Sequence, residues 1–235
     1  MKKSHGQMSE SFLLGALLAF SGGFLDLYTY VCRGEVFANA QTGNMIFLSL
    51  YLAQREWKHA IRYIFPIIAF ALAVILVERV RSHYQEKENQ DINIHWRQVI
   101  ILIELIMLIA DAFIPQKYNI LVNINVSFVC SMQFEAFRKI QGCSLTTTMC
   151  TGNLRSGTEY FFIWRKKRDK SAKGKGFLCF IIILFFLFGA VASYFLTNRF
   201  LEKAVLIPCV ILLLVFLMMF IKEEEKQKEL DEFIK

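Results

Sequence analysis

The chain has 235 residues, is 55% hydrophobic with a mean hydropathy of +0.42, and carries 23 phenylalanines but only 3 prolines. That composition excludes a disordered chain, a collagen-like chain and an ordinary soluble domain. The net charge of +7 does not argue for nucleic acid, because excess Lys and Arg in a membrane protein sets topology and meets lipid headgroups.

Charge is unevenly placed. None occurs at 63–77, 118–134, 176–198 or 204–221, while 11–31 holds only Asp26 and 98–110 only Glu104. Apolar windows of roughly 17–25 residues match the length a helix needs to cross a bilayer. In chain order the predicted spans are 11–31, 60–80, 97–114, 118–138, 177–197 and 204–221. Two shorter apolar stretches fall at 44–54 and 154–164. The start, Lys2-Lys3 followed by apolar residues from Phe12, resembles a signal peptide. The length of the run, Asp26 within it and the lack of a small-x-small site predict a retained first span instead. The expected fold class is all-α, a polytopic membrane helix bundle.

Each short stretch opens on the same tripeptide, Thr42-Gly43-Asn44 and Thr151-Gly152-Asn153, 109 positions apart. The same offset sets Asp26 on Glu135, Tyr28 on Phe137 and Tyr51 on Tyr160. An acidic residue 16 positions before each tripeptide, inside a long apolar span both times, points to an internal duplication. The expected units are a first repeat over 1–115, a second over 116–221 and a charged tail over 222–235. If the short stretches are membrane-inserted without crossing, each half has three spans and the halves are inverted, as in many transporters. If they cross, there are eight spans and the repeats are parallel. Six spans with both termini cytoplasmic place more of the Lys and Arg inside, including the run Arg165-Lys166-Lys167-Arg168 and Lys170, and are preferred. Residues 165–175 are expected to touch anionic headgroups.

Polar residues at membrane depth are costly, about 3 kcal/mol for an ionised carboxylate at a helix centre, and are functional candidates by default. The candidates for a solute or ion site are Asp26, Glu104 and Glu135, joined by Asn39, Gln41, Gln133 and Thr148 and by the two tripeptides, Thr42, Gly43, Asn44 and Thr151, Gly152, Asn153. The threonines are expected to N-cap the short helices, the glycines to permit close backbone approach, and the asparagines to supply an amide that both donates and accepts. For Asp26 and Glu135 the structural alternative is a carboxylate satisfied by helix-end donors or by Arg33 or Arg138. The six cysteines show no C-x-x-C pair and Cys130, Cys179 and Cys209 lie in apolar runs, so no disulfide framework is expected. The four histidines lie at span edges or in loops, so no metal site is expected. No catalytic or cofactor-binding motif occurs, so neither an enzyme nor a cofactor is expected.

The run Gly22-Gly23-Phe24-Leu25-Asp26-Leu27-Tyr28-Thr29-Tyr30, then Arg33-Gly34-Glu35-Val36-Phe37-Ala38-Asn39-Ala40-Gln41-Thr42-Gly43-Asn44, closely resembles the YoaK family of bacterial inner-membrane proteins. Met132-Gln133, Ala136-Phe137-Arg138 and Thr147-Thr148-Met149 through Leu154 resemble it too. The resemblance covers 11–221 and implies a multi-pass plasma-membrane protein. The family is a domain of unknown function, so no binding residues come with it.

The expected function is a small-solute or ion transporter, proton-linked, with a central polar site between the two Thr-Gly-Asn starts. The alternatives are a membrane scaffold that binds partners through 165–175 and the tail, and a passive channel. An enclosed polar cavity lined by both tripeptides favours transport; a solid apolar core favours the scaffold.

Overall fold

The structure is a computed structural model that describes residues 11–86, 95–140, 143–144 and 150–219. The described residues form eight α-helices: α1 Phe12–Cys32, α2 Gln41–Ala53, α3 Trp57–Glu86, α4 Trp96–Asp111, α5 Asn119–Ala136, α6 Cys150–Lys167, α7 Lys170–Phe200 and α8 over 206–219. Short 3-10 turns precede α5 and α8, and a two-stranded hairpin pairs Lys139–Ile140 with Cys143–Ser144. The tail at 222–235 lies outside the described residues.

Local chemistry sets several helix ends. The Ser11 hydroxyl caps α1 by accepting the Leu14 N–H at 3.3 Å. Gly34 at φ 90° and Glu35 at φ 62° then turn the chain back on itself. The His95 side chain accepts the Arg97 N–H, while Gln98 Oε1 accepts the His95 N–H, a reciprocal cap on α4. The Asp169 carboxylate caps α7 by accepting the Ser171 N–H at 2.8 Å. Arg55 at φ 60° turns α2 into α3, and Arg168 at φ 54° turns α6 into α7.

Three stretches are long and apolar enough to cross a membrane: Phe12–Cys32, Trp57–Gln85 and Lys170–Met219. The last is broken at Leu201, whose φ of 51° ends α7. The expected spans at 97–114 and 118–138 correspond to α4 and α5, of 16 and 18 residues. These apolar helices are compatible with an integral membrane protein.

Hydrogen bonds between helices fix their relative direction. At one end of the bundle, Arg33 just past α1 donates to the carbonyls of Asp111 and Ile114 at the end of α4. Asn123, early in α5, donates to the Arg33 carbonyl at 2.7 Å. Tyr63, early in α3, donates to the Glu35 carbonyl, and Tyr28 to that of Glu202 just beyond α7. At the other end, Arg97 at the start of α4 donates to the carbonyl of Ala136, the last residue of α5. Thus α1, α4 and α7 run one way and α3 and α5 the other. Ser131 with Phe70 and Arg138 with Glu78 confirm that α3 and α5 run in the same sense.

The packing is crosswise. α1 lies along α7 and α3 along α5, while α2 rests on α3 and α6 on α7. At the α1–α7 crossing the backbones touch: a Cβ on Gly23 would overlap the Phe186 carbonyl, and one on Gly189 the Phe20 carbonyl. The main core joins Leu14, Leu18 and Leu25 of α1, Ile101 and Leu108 of α4, and Val126 and Met132 of α5. Cys209, Leu212, Val215 and Met219 bring α8 into it.

Candidate functional site

The segment 33–40 does not leave the bundle. It doubles back along α1, so that the Asn39 N–H reaches Asp26 Oδ1 at 2.9 Å and Asn39 Nδ2 reaches the Gly22 carbonyl at 3.0 Å. At 1.5 Å rise per residue this point lies roughly 9–15 Å below the Arg33 end of α1. α2 therefore starts deep in the bundle and climbs back to the end where α3 begins. Tyr30 stacks on Phe37 along the way, with ring centroids 4.9 Å apart.

Asn44 holds this hairpin together. Its Oδ1 accepts the Phe37 N–H at 3.0 Å, and its Nδ2 donates to the Phe37 carbonyl at 2.8 Å and to Gln41 Oε1 at 2.9 Å. Gln41 Nε2 in turn donates to the Ala38 carbonyl. Gly43 lies against the Phe37 ring, 2.9 Å from where its Cβ would be. Thr42 is exposed and does not cap the helix: α2 begins one residue earlier, after Ala40, with no side-chain cap bond. The expectation of a threonine cap is corrected here; the buried work falls to Gln41 and Asn44, which lie three residues apart on one face.

α6 repeats part of this pattern. It begins at Cys150, so Thr151 is again the second helical residue; Thr151 and Gly152 are exposed and Asn153 is buried. The Cys150 thiol lies within electrostatic reach of Asp26. Asp26, beside the start of α2, and Cys150, at the start of α6, are thus electrostatic neighbours. Thr148 lies outside the described residues.

Helix register brings Glu104 to the same height. Along α4 and α5, Arg97 meets Ala136 and Asn125 meets the Met107 carbonyl, which sets Glu104 opposite Phe128 and Val129. Along α1 and α5, Gln133 Nε2 donates to the Leu18 carbonyl and Asn123 meets Arg33, which sets Asp26 beside Ser127 and Phe128. The Cys130 thiol is an electrostatic neighbour of both Asp26 and Glu104. Glu104 is fully buried and neither of its carboxyl oxygens has a hydrogen-bond partner among the described residues. Ser127 Oγ, Asn39 Oδ1 and Gln133 Oε1 are likewise buried without a partner.

Glu135 does not join Asp26. It sits at the far end of α5, where Arg138 pairs with it at 3.1 Å and with Glu78 at 3.4 Å, and Glu78 pairs with Arg81 at 2.6 Å. Nor does Arg33 serve Asp26. Its buried guanidinium bonds the Tyr28 hydroxyl at 2.8 Å and the two carbonyls at the end of α4.

The centre is filled. Leu25, Leu108, Val126, Val129 and Met132, all with no exposed surface, surround the carboxyls. Two open grooves lie instead on outer helix faces, one along α3 at Val74, Glu78 and His83, the other along α6 at Thr151, Arg155, Glu159 and Phe162. Among the described residues no group of His, Cys, Asp and Glu is arranged to hold a metal. Arg33, Asn123 and Ser127 were not among the site residues expected from sequence. A signal for the last two existed: Asn119, Asn123, Ser127, Ser131 and Glu135 recur every four residues, a polar stripe down one face of an apolar helix.

Residues 14–218 match a family described as a protein of unknown function (DUF1275). No curated protein and no solved structure matches the chain.

Proposed function

The chain belongs to that family of unknown function, and from its own residues we propose that it is a secondary carrier for a small solute or ion, working by alternating access. One observation carries this reading. The chain folds back into the bundle beside Asp26 so that α2 starts there, with the Asn39 N–H bonded to the carboxyl at 2.9 Å, and Cys150 at the start of α6 is an electrostatic neighbour of it. Two short helices starting at mid-depth point the positive ends of their dipoles at one place. A purely structural bundle has no need to bury backbone turns and carboxyls at its centre.

In this reading the chain has six spans, α1, α3, α4, α5, α7 and α8, with α2 and α6 as inserted helices. The halves 1–115 and 116–221 are inverted repeats. Support comes from direction: α1 and α5 are antiparallel, whereas α1 with α7 and α3 with α5 are parallel, as a twofold axis in the membrane plane requires. Arg79, Arg81, Arg97, Arg138 and the 165–175 segment cluster at one end of the bundle. That end is assigned to the cytoplasm and to anionic headgroups, with both termini on that side. The resemblance to the YoaK family supports a bacterial plasma membrane. The protein is read as neither an enzyme nor a nucleic-acid binder.

The filled centre fits a form occluded from both sides. The Arg33 network, with its guanidinium buried, closes one end, and the pairs that the half-exposed Arg138 makes with Glu78 and the buried Glu135 close the other. The pairs near water cost least to break, so the cytoplasmic end is the one that opens first. The same filled centre favours a scaffold as the second reading. A thermal-shift screen of the purified protein against metabolites and ions separates them, because a ligand that binds the folded form raises its melting temperature. Hits that also drive uptake into proteoliposomes support the carrier; a protein that no solute stabilises and that passes none overturns it.

A further inference from the structure

Resting on the carrier reading, we propose that Glu104 is the proton-binding group of this protein, and that Asp26, its neighbour across α5, is not. The two carboxyls stand at one height but in different company. Asp26 accepts the Asn39 N–H and so anchors the turn that starts α2; an ionised carboxylate does this well, and its hydrogen bond offsets part of its burial. Glu104 has nothing comparable. Its side chain is fully buried and both oxygens are without a hydrogen-bond partner. A buried charge with neither a counter-ion nor donors is prohibitively costly, whereas the neutral acid is not.

Among the described residues, the groups near Glu104 offer no compensating cation. Cys130 of α5 is an electrostatic neighbour of Glu104 and of Asp26 from α1; two turns on along α4 lies Asp111, bonded by Asn125 and neighbouring Cys209 of α8. Glu78 of α3 lies at the end of α5 beside Glu135, tied to Arg81 and Arg138. On α4 itself, Arg97 is bound to the Ala136 carbonyl a full two turns away, and Arg33 is committed beside Asp111 at the opposite end. Charge balance at Glu104 in the closed form therefore falls to a proton on its own carboxyl. When the bundle opens and water reaches α4, the O–H bond breaks, the proton passes to water, and the carboxylate left behind is solvated.

The test uses the full chain in lipid nanodiscs and needs no solute. An infrared pH titration reads protonated carboxyls directly. The wild type should show a buried carboxylic-acid carbonyl band that falls as pH rises; Glu104→Gln should lose it, and Asp26→Asn should keep it. A band that persists in Glu104→Gln, or one that never responds to pH, overturns the proposal. Labelling wild type with an apolar carbodiimide, which reacts with protonated carboxyls, decides the case even if a variant fails to fold. An adduct on Glu104 that declines with pH supports the assignment, and an adduct on Asp26 alone or none at all overturns it. If the band titrates as expected while proteoliposomes pass no solute, the carrier reading fails and the proton on Glu104 stands.

Discussion

Asn44 bonds both backbone polar groups of Phe37, accepting its N–H at 3.0 Å and donating to its carbonyl at 2.8 Å. A side-chain amide thereby satisfies both backbone polar groups of a partly buried residue outside any helix. Truncation leaves two part-buried backbone groups unmet, at about 1–3 kcal/mol each. Asn44→Ala is expected to lower the thermal unfolding midpoint in detergent markedly. Asn44→Asp, which keeps the acceptor but loses the donor, should fall between Asn44→Ala and wild type.

Asp26 presents the complementary case. Asp26→Asn keeps an acceptor for the Asn39 N–H and should fold and express nearly as wild type. Asp26→Leu leaves that N–H buried and unmet, a cost of about 1–3 kcal/mol. Comparing the melting curves of the two variants checks this. Equal stability would show that the carboxyl does not hold the turn.

Gly23 and Gly189 bring the α1 and α7 backbones together. Gly23→Ala and Gly189→Ala should each destabilise, by about 1–3 kcal/mol from overpacking. The double variant should cost less than the sum, because one displacement of α7 relieves both clashes. Strict additivity in a double-mutant cycle would mean that the two glycines act at separate contacts.

Arg55 and Arg168 both turn a short helix into a long one through a left-handed backbone. Single cysteines at these two positions, in a background without native cysteines, should be labelled by an impermeant reagent from opposite sides of a sealed vesicle. Labelling from one side would favour eight crossings over six.

Much of the helical layout was legible from charge placement alone. The uncharged windows at 118–134 and 176–198 became α5 and α7, since a long apolar run in this composition has few alternatives to a helix. The starts of α2 and α6 fall 109 positions apart, one residue ahead of each Thr-Gly-Asn. Threonine was misread because capping propensity is local, whereas the turn at Asn39 is held by Asp26 from another element. The pairing of Asp26 with Glu135 by offset said nothing about distance. α1 runs six residues past Asp26, whereas α5 ends one residue after Glu135, which sets Glu135 at the end of the bundle beside Arg138. Arg33 was legible only as a charge at a span end; its carbonyl partners 78 and 81 residues away follow from how α4 is placed.

Crosswise packing has a consequence for how the chain is made. α1 emerges first, yet the helix its Gly23 face fits is α7, the seventh to be synthesised. α3 likewise waits for α5. In the carrier reading, the early helices persist in the bilayer during synthesis with small-residue faces covered by lipid or by the insertion machinery, and the fold closes only when the C-terminal portion arrives. A ribosome stalled within the segment before α6 would hold a nascent chain whose first helix lacks the α7 partner for its Gly23 face. Quality control that recognises unmatched intramembrane faces would read this protein as unfinished until nearly its last helix.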